Sequence, residues 1–162
     1  MSEPTEESAR PEISFEAAKE VALRLLSAAP RPRAELIDRL TKRGANADMA
    51  EAAVERMAEL GYVDDAAYAE AFVSSRRRAK NHGYHRLRRD LMSKGVPPGI
   101  IADVLADDGE HARAAAAEFI RVALRKSGST PPDKLFRRIY GAAIRAGHSP
   151  GLISELLRSE LE

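Results

Sequence analysis

Residues 86–95 read RLRRDLMSKG, and the same pattern recurs as ELIDRLTKRG at 35–44 and as IYGAAIRAG at 139–147. Gly44, Gly95 and Gly147 close the three segments at spacings of 51 and 52 residues. Eight residues before each glycine stand Leu36, Leu87 and Ile139, and four before stand Leu40, Leu91 and Ala143. Positions i and i+4 share one face of a helix. A glycine suits the left-handed position that ends one. The stretch therefore reads as an amphipathic helix with a glycine stop, used three times at one period.

Beyond each glycine a new helix has its own start signal. Asn46 or Asp48 serves the first, Pro97 and Pro98 open the second, and Ser149 precedes Pro150 in the third. Apolar positions again correspond: Ala50, Ile101 and Ile153; Ala53, Val104 and Leu156; Val54, Leu105 and Leu157. A further helix precedes each pair. Ser14 caps the first, with Val21, Leu25 and Leu26 on its face. Asp64 or Asp65 caps the second, with Tyr68, Phe72 and Val73 turned inward. The third offers Phe119, Ile120, Val122 and Leu124 for packing. The breakers AAPRPR, NHGYH and SGSTPPD follow these helices.

The expectation is an all-α chain of three tandem three-helix repeats. Residues 14–63, 64–108 and 109–162 form the repeats, behind an acidic disordered tail at 1–13. One such unit is marginal alone. Stacked units share apolar surface, which favours an elongated, curved, solenoid-like body over a compact bundle. Alternating β-branched runs are missing, and only 5% of residues are aromatic.

Composition narrows the function classes. The 162 residues contain no cysteine, which removes disulfides, thiolate nucleophiles and the common zinc sets. No apolar run approaches the roughly 18 residues of a membrane span, and the acidic start MSEPTEESARPE does not read as a secretory signal. We read a cytoplasmic monomer. No serine sits in a nucleophile elbow, and no glycine-rich phosphate loop is present. His82 and His85 straddle Gly83 without a partnering carboxylate motif, which argues against a metal. Asp64–Asp65 and Asp107–Asp108 sit at helix ends, where capping and the helix dipole explain them. The expectation is no catalytic residue, no cofactor, no metal and no enzyme.

The formal charge of +1 conceals an asymmetry. Residues 1–75 carry 9 basic and 15 acidic side chains, residues 76–145 carry 16 and 7, and residues 146–162 carry 1 and 3. The densest basic stretch, 76–94, holds Arg76, Arg77, Arg78, Lys80, Arg86, Arg88, Arg89 and Lys94 against Asp90, with His82, Tyr84 and His85 interleaved. Cations among rings suit a phosphate backbone with base stacking. Arg76 to Arg78 also complement a helix C-terminus. Arg86, Arg88 and Arg89 sit in opening turns, where positive charge is unfavourable and an external anion is the natural partner. A second set, Arg121, Arg125, Lys126, Lys134, Arg137 and Arg138, is equivalent by repeat. The two sets are expected to form one anion-facing surface.

The ordered motifs resemble those of the RecX family of recombination regulators. The family's first helix pair is matched by Ala22, Leu23, Leu26, Arg31, Glu35 and Leu36. Its Leu-Gly-x-x-Asp-Asp stretch is matched by Leu60, Gly61, Tyr62, Val63, Asp64, Asp65, Tyr68 and Ala69. Its glycine turn and following helix are matched by Gly83, Leu87, Leu91, Lys94, Gly95 and Val96. The resemblance covers about residues 17–107, and the third repeat in pattern only. Pro32 stands where the family commonly has a serine; proline fits a first helical turn. The resemblance implies tandem three-helix repeats that lie in the groove of the RecA filament on single-stranded DNA. It also implies inhibition of RecA ATPase, strand exchange and coprotease activity. It brings no catalytic residues, so both basic sets, Lys94 included, stand as candidate filament- or DNA-contacting residues. A free-standing helical DNA-binding protein is the alternative, since two short helices joined by a glycine turn resemble helix-turn-helix units.

Overall fold

A computed structural model describes residues 12–106 and 109–161. Residues 1–11, Asp107, Asp108 and Glu162 lie outside it. Most of the expected acidic tail and the Asp107–Asp108 pair therefore lie outside the described residues. Among the described residues the chain is all-helical. Its elements are α1 (Phe15–Ala28), α2 (Arg33–Thr41), α3 (Ala47–Glu59), α4 (Asp65–Lys80), α5 (Tyr84–Ser93), α6 (Pro98–Val104), α7 (Gly109–Arg125), α8 (Pro132–Arg145) and α9 (Pro150–Leu161). The chain divides into two units: one spans residues up to Tyr68 plus Lys94–Val96, the other Ala69–Ser93 and Pro97 onward.

Local chemistry accounts for the helix ends of the first unit. Ser14 accepts a hydrogen bond from the Ala17 amide at 3.1 Å, and Asn46 accepts one from Met49 at 2.9 Å. Asp64 accepts from Ala67 at 3.0 Å. Each bond satisfies a first-turn amide that the helix itself leaves open. Pro32 at the start of α2 has no side chain able to do this. Asp65 supplies the missing acceptor from 32 residues away: its Oδ1 takes the Arg33 amide at 2.9 Å, and the residue is only 7% exposed. Of the neighbouring carboxylates, one therefore caps its own helix and the other caps α2.

The apolar periodicity becomes the core. In the first unit Ala18, Ala22, Leu36, Leu40, Ala50, Ala53, Val54 and Met57 are buried together with Val63. Glu35 lies across from Arg31 at 2.5 Å and Arg39 at 2.9 Å. Burial pushes its carboxyl upward, but the hydrogen bonds from Arg39 and Arg31 prevail and hold it below its ordinary value. In the second unit α7, α8 and α9 bury Ala116, Ile120, Ile139, Ala143, Ile153 and Leu157. Leu87 and Leu91 of α5 and Ile101 of α6 are also buried.

The glycines at the repeat period take left-handed backbone, with φ of 101° at Gly44, 76° at Gly95 and 92° at Gly147. Gly147 does more than end α8. The turn at Ala146–Gly147 is pressed against the break before α5, and a Cβ on Gly83 would collide with the Gly147 carbonyl. A Cβ on Gly147 would collide with the backbone of Arg86. Two glycines thus let two backbones touch. The Gly83 amide donates to Ala146 O at 2.8 Å and the His85 amide to Gly147 O at 3.1 Å. These bonds satisfy two amides at the start of α5 with carbonyls from the end of α8.

Candidate anion-binding surface

The first basic set begins at the C-terminus of α4. The helix ends at Asn81, whose φ of 50° is the left-handed stop that asparagine tolerates. Arg76 lies over the Phe72 ring at 5.1 Å, and Arg78 donates to Ser74 Oγ at 3.1 Å. Arg77 and Lys80 form no ion pair among the described residues. Tyr68 and Phe72 are half-buried, while Ala69 and Val73 form the buried face of α4.

Arg86, Arg88 and Arg89 differ although they are neighbours. Arg86 reaches Arg145 O at 3.4 Å with its guanidinium, and its Nε lies 3.7 Å from Asp90. The carbonyl end of α8 is the negative pole of a helix dipole, so it supplies Arg86 with an internal partner. Arg88 and Arg89 are exposed and form no ion pair among the described residues. Lys94 is half-buried and belongs to the other unit.

In the second set Glu118 takes both Arg121 and Arg125, the latter at 3.4 Å. The sequence carried this signal in the spacing of Glu118 to Arg121, which is i, i+3. Arg138 donates to Ser127 Oγ at 2.5 Å. Lys126, Lys134 and Arg137 are exposed without an ion pair among the described residues. A cleft of about 290 Å³ joins the two sets within this unit. Lys80, Asn81 and Lys126 line it together with Phe119, Val122 and Ala123.

Two buried histidines lie behind this surface. His148 is 4% exposed, its ring is 5.3 Å from Phe119, and its Nε2 has no hydrogen-bond partner among the described residues. Burial pushes its imidazole below the ordinary value, against the opposing effect of a hydrogen bond that the ring donates to the Asn81 backbone carbonyl. His82 is 6% exposed, with Nδ1 unpartnered among the described residues. Burial and then the Arg86 charge push it down, Asp90 opposes, and Lys80 and Arg76 add to the fall. His85 is exposed, so His82 and His85 do not share a face.

The first and second three-helix domains of RecX match this chain at residues 18–57 and 64–105, respectively. The regulatory protein RecX of Thermobifida fusca is 37% identical over 158 residues, covering 96% of this chain and 84% of that protein. The chain belongs to the RecX family. The regulatory protein RecX of Mycobacterium avium is 38% identical over 148 residues, covering 90% of this chain and 86% of the relative. The crystal structure of RecX from Lactobacillus salivarius has the same fold. Its TM-score is 0.78 at 20% identity, covering 91% of this chain and 96% of that one. The chain is accordingly a helical-repeat regulatory protein rather than an enzyme. Among the described residues no helix is long and apolar enough to cross a membrane.

Proposed function

We propose that this RecX-family chain binds the RecA filament on single-stranded DNA and inhibits its ATPase, strand-exchange and coprotease activities. It thereby regulates recombination and repair in the cytoplasm. Membership of the RecX family supports the choice of partner. The observation that supports the surface is the group of exposed cations with no ion pair among the described residues: Lys80, Arg88, Arg89, Lys126 and Arg137. Unpaired guanidinium and ammonium groups on one unit suit phosphates or the carboxylates of a protein filament. Arg76, Arg77 and Arg78 extend the reading along α4. Arg121, Arg125 and Arg138, with internal partners, contribute by exchanging them.

The test is co-sedimentation with RecA filaments assembled on single-stranded DNA, using Arg88→Glu/Arg89→Glu and Lys126→Glu/Arg137→Glu. The proposal expects the parent chain to pellet with filaments and both variants to stay in the supernatant while folding normally. Pelleting unchanged by charge reversal removes this surface from the interface. Retention on naked DNA with none on filaments supports a free-standing DNA-binding protein instead.

A further inference from the structure

The seam where the Gly83 and Gly147 backbones touch is bracketed by two buried histidines. His82 precedes Gly83 at the break between α4 and α5, and His148 follows Gly147 in the turn between α8 and α9. The seam is closed by the Gly83 amide on Ala146 O at 2.8 Å and the His85 amide on Gly147 O at 3.1 Å. The Arg86 guanidinium adds a longer bond to Arg145 O at 3.4 Å. Both rings are more than nine-tenths buried. Each keeps one buried nitrogen, Nδ1 of His82 and Nε2 of His148, without a partner among the described residues. The surroundings of His148 are neutral: the Phe119 ring of α7 lies 5.3 Å away, and the Asn81 carbonyl takes a hydrogen bond from the imidazole. His82 faces Arg86 of α5 and Lys80 and Arg76 of α4, against the single carboxylate of Asp90. His85, beside the seam, is exposed.

We propose that this seam is an acid-opened latch: protonation of His82 and His148 parts the start of α5 from the turn after α8, while the helices themselves stay folded. A protonated imidazole donates from both ring nitrogens. In the closed seam the added N–H of each ring meets no acceptor and its charge meets no water. For His82 three cations add repulsion. Opening returns both rings to solvent, where an imidazole ionises near its ordinary value of 6.5. The open form therefore binds protons more readily than the closed one, and acid favours it. Leu87 and Leu91 are buried one and two turns into α5, so the helix keeps its anchor when its first turn is released. α5 also carries Arg88 and Arg89, so the latch alters how the proposed surface is presented. That consequence rests on the RecA reading, and the latch itself does not.

The test is amide hydrogen exchange of the full chain at pH 7.5 and 5.5, resolved by residue with NMR and corrected for intrinsic exchange rates. Protection of the Gly83 and His85 amides should fall by up to about tenfold for each histidine, since pH 5.5 lies one unit below 6.5. The amides of Leu40 and Val54 should hold their protection, because α1, α2 and α3 contain no histidine. His148→Gln should keep part of the fall, and His82→Gln/His148→Gln should abolish it. The parent alone gives a second readout: ring carbon shifts of His82 and His148 should titrate over the same pH range in which the two amides lose protection. Protection at Gly83 and His85 that is equal at both pH values overturns the latch. So does a loss shared equally by Leu40 and Val54, which would mark global unfolding. Co-sedimentation with RecA filaments at neutral pH reads the surface separately. A chain that fails to pellet there but opens its seam in acid ends the RecA reading and leaves the latch intact.

Discussion

The Asp65 carboxylate accepts a hydrogen bond from the backbone amide of Arg33 at 2.9 Å, across 32 residues of chain. It stands in for the cap that Pro32 lacks and joins the start of α4 to the start of α2. Asp65→Ala leaves a part-buried amide without an acceptor and should destabilise the chain by about 1 kcal/mol in urea unfolding. Asp64→Ala loses an exposed cap and should cost less. Equal stability of Asp65→Ala and the parent would contradict the role.

The contact between Gly83 and Gly147 allows no side chain. Gly147→Ala adds left-handed strain to a backbone clash and should cost about 2 kcal/mol or more. Gly83→Ala should also be severe. Gly151 lies in α9 with nothing near a would-be Cβ, so Gly151→Ala should stabilise by about 0.5–1 kcal/mol through helix propensity. The three urea midpoints should rank Gly151→Ala above the parent and Gly147→Ala well below it.

Stability should fall in mild acid. His82 and His148 titrate below the ordinary value of 6.5 in the folded chain. The unfolded chain therefore binds protons first as pH drops through 6.5. The contribution of the neutral imidazoles is complete above 6.5 and drains away below it. Glu35, lowered from 4.5 by its arginines, adds a second loss below 4.5. Urea midpoints should be flat from pH 8 to 7 and decline from about 6.5 downward. A His82→Gln/His148→Gln variant should show a shallower decline between 6.5 and 5. A midpoint that rises on acidification through this range would overturn the assignment of both histidines as buried and neutral.

Arg86 and its neighbours should separate folding from binding. Arg86→Gln loses the Arg145 carbonyl and should cost about 1 kcal/mol. Arg88 and Arg89 have no ion pair or side-chain hydrogen bond among the described residues, so Arg88→Gln and Arg89→Gln should stay within about 0.5 kcal/mol of the parent, while filament binding falls. Thermal melts and co-sedimentation on the same three proteins check both halves.

The helices were legible in the sequence because their signals are local. Ser14, Asn46 and Asp64 cap within three residues of themselves. Leu36, Leu87 and Ile139 keep one face at one period. What stayed hidden depends on partners far along the chain. Asp65 reads as a candidate cap of its own helix until Arg33 is brought to it. Arg86 reads like Arg88 and Arg89, and only the end of α8 distinguishes it. Gly83 reads as a helix break, whereas its lack of a Cβ also admits the Gly147 backbone. The basic stretch was visible as charge, but its division into paired and unpaired cations required the three-dimensional neighbours.

The central claim is regulation of RecA through the basic surface. Its most direct test is RecA ATP hydrolysis on single-stranded DNA, titrated with this chain and with Arg88→Glu/Arg89→Glu. The account predicts inhibition by the parent at substoichiometric ratios to RecA, and loss of that inhibition in the variant. Undiminished hydrolysis at every ratio of the parent chain, or equal inhibition by the charge-reversed variant, would contradict it.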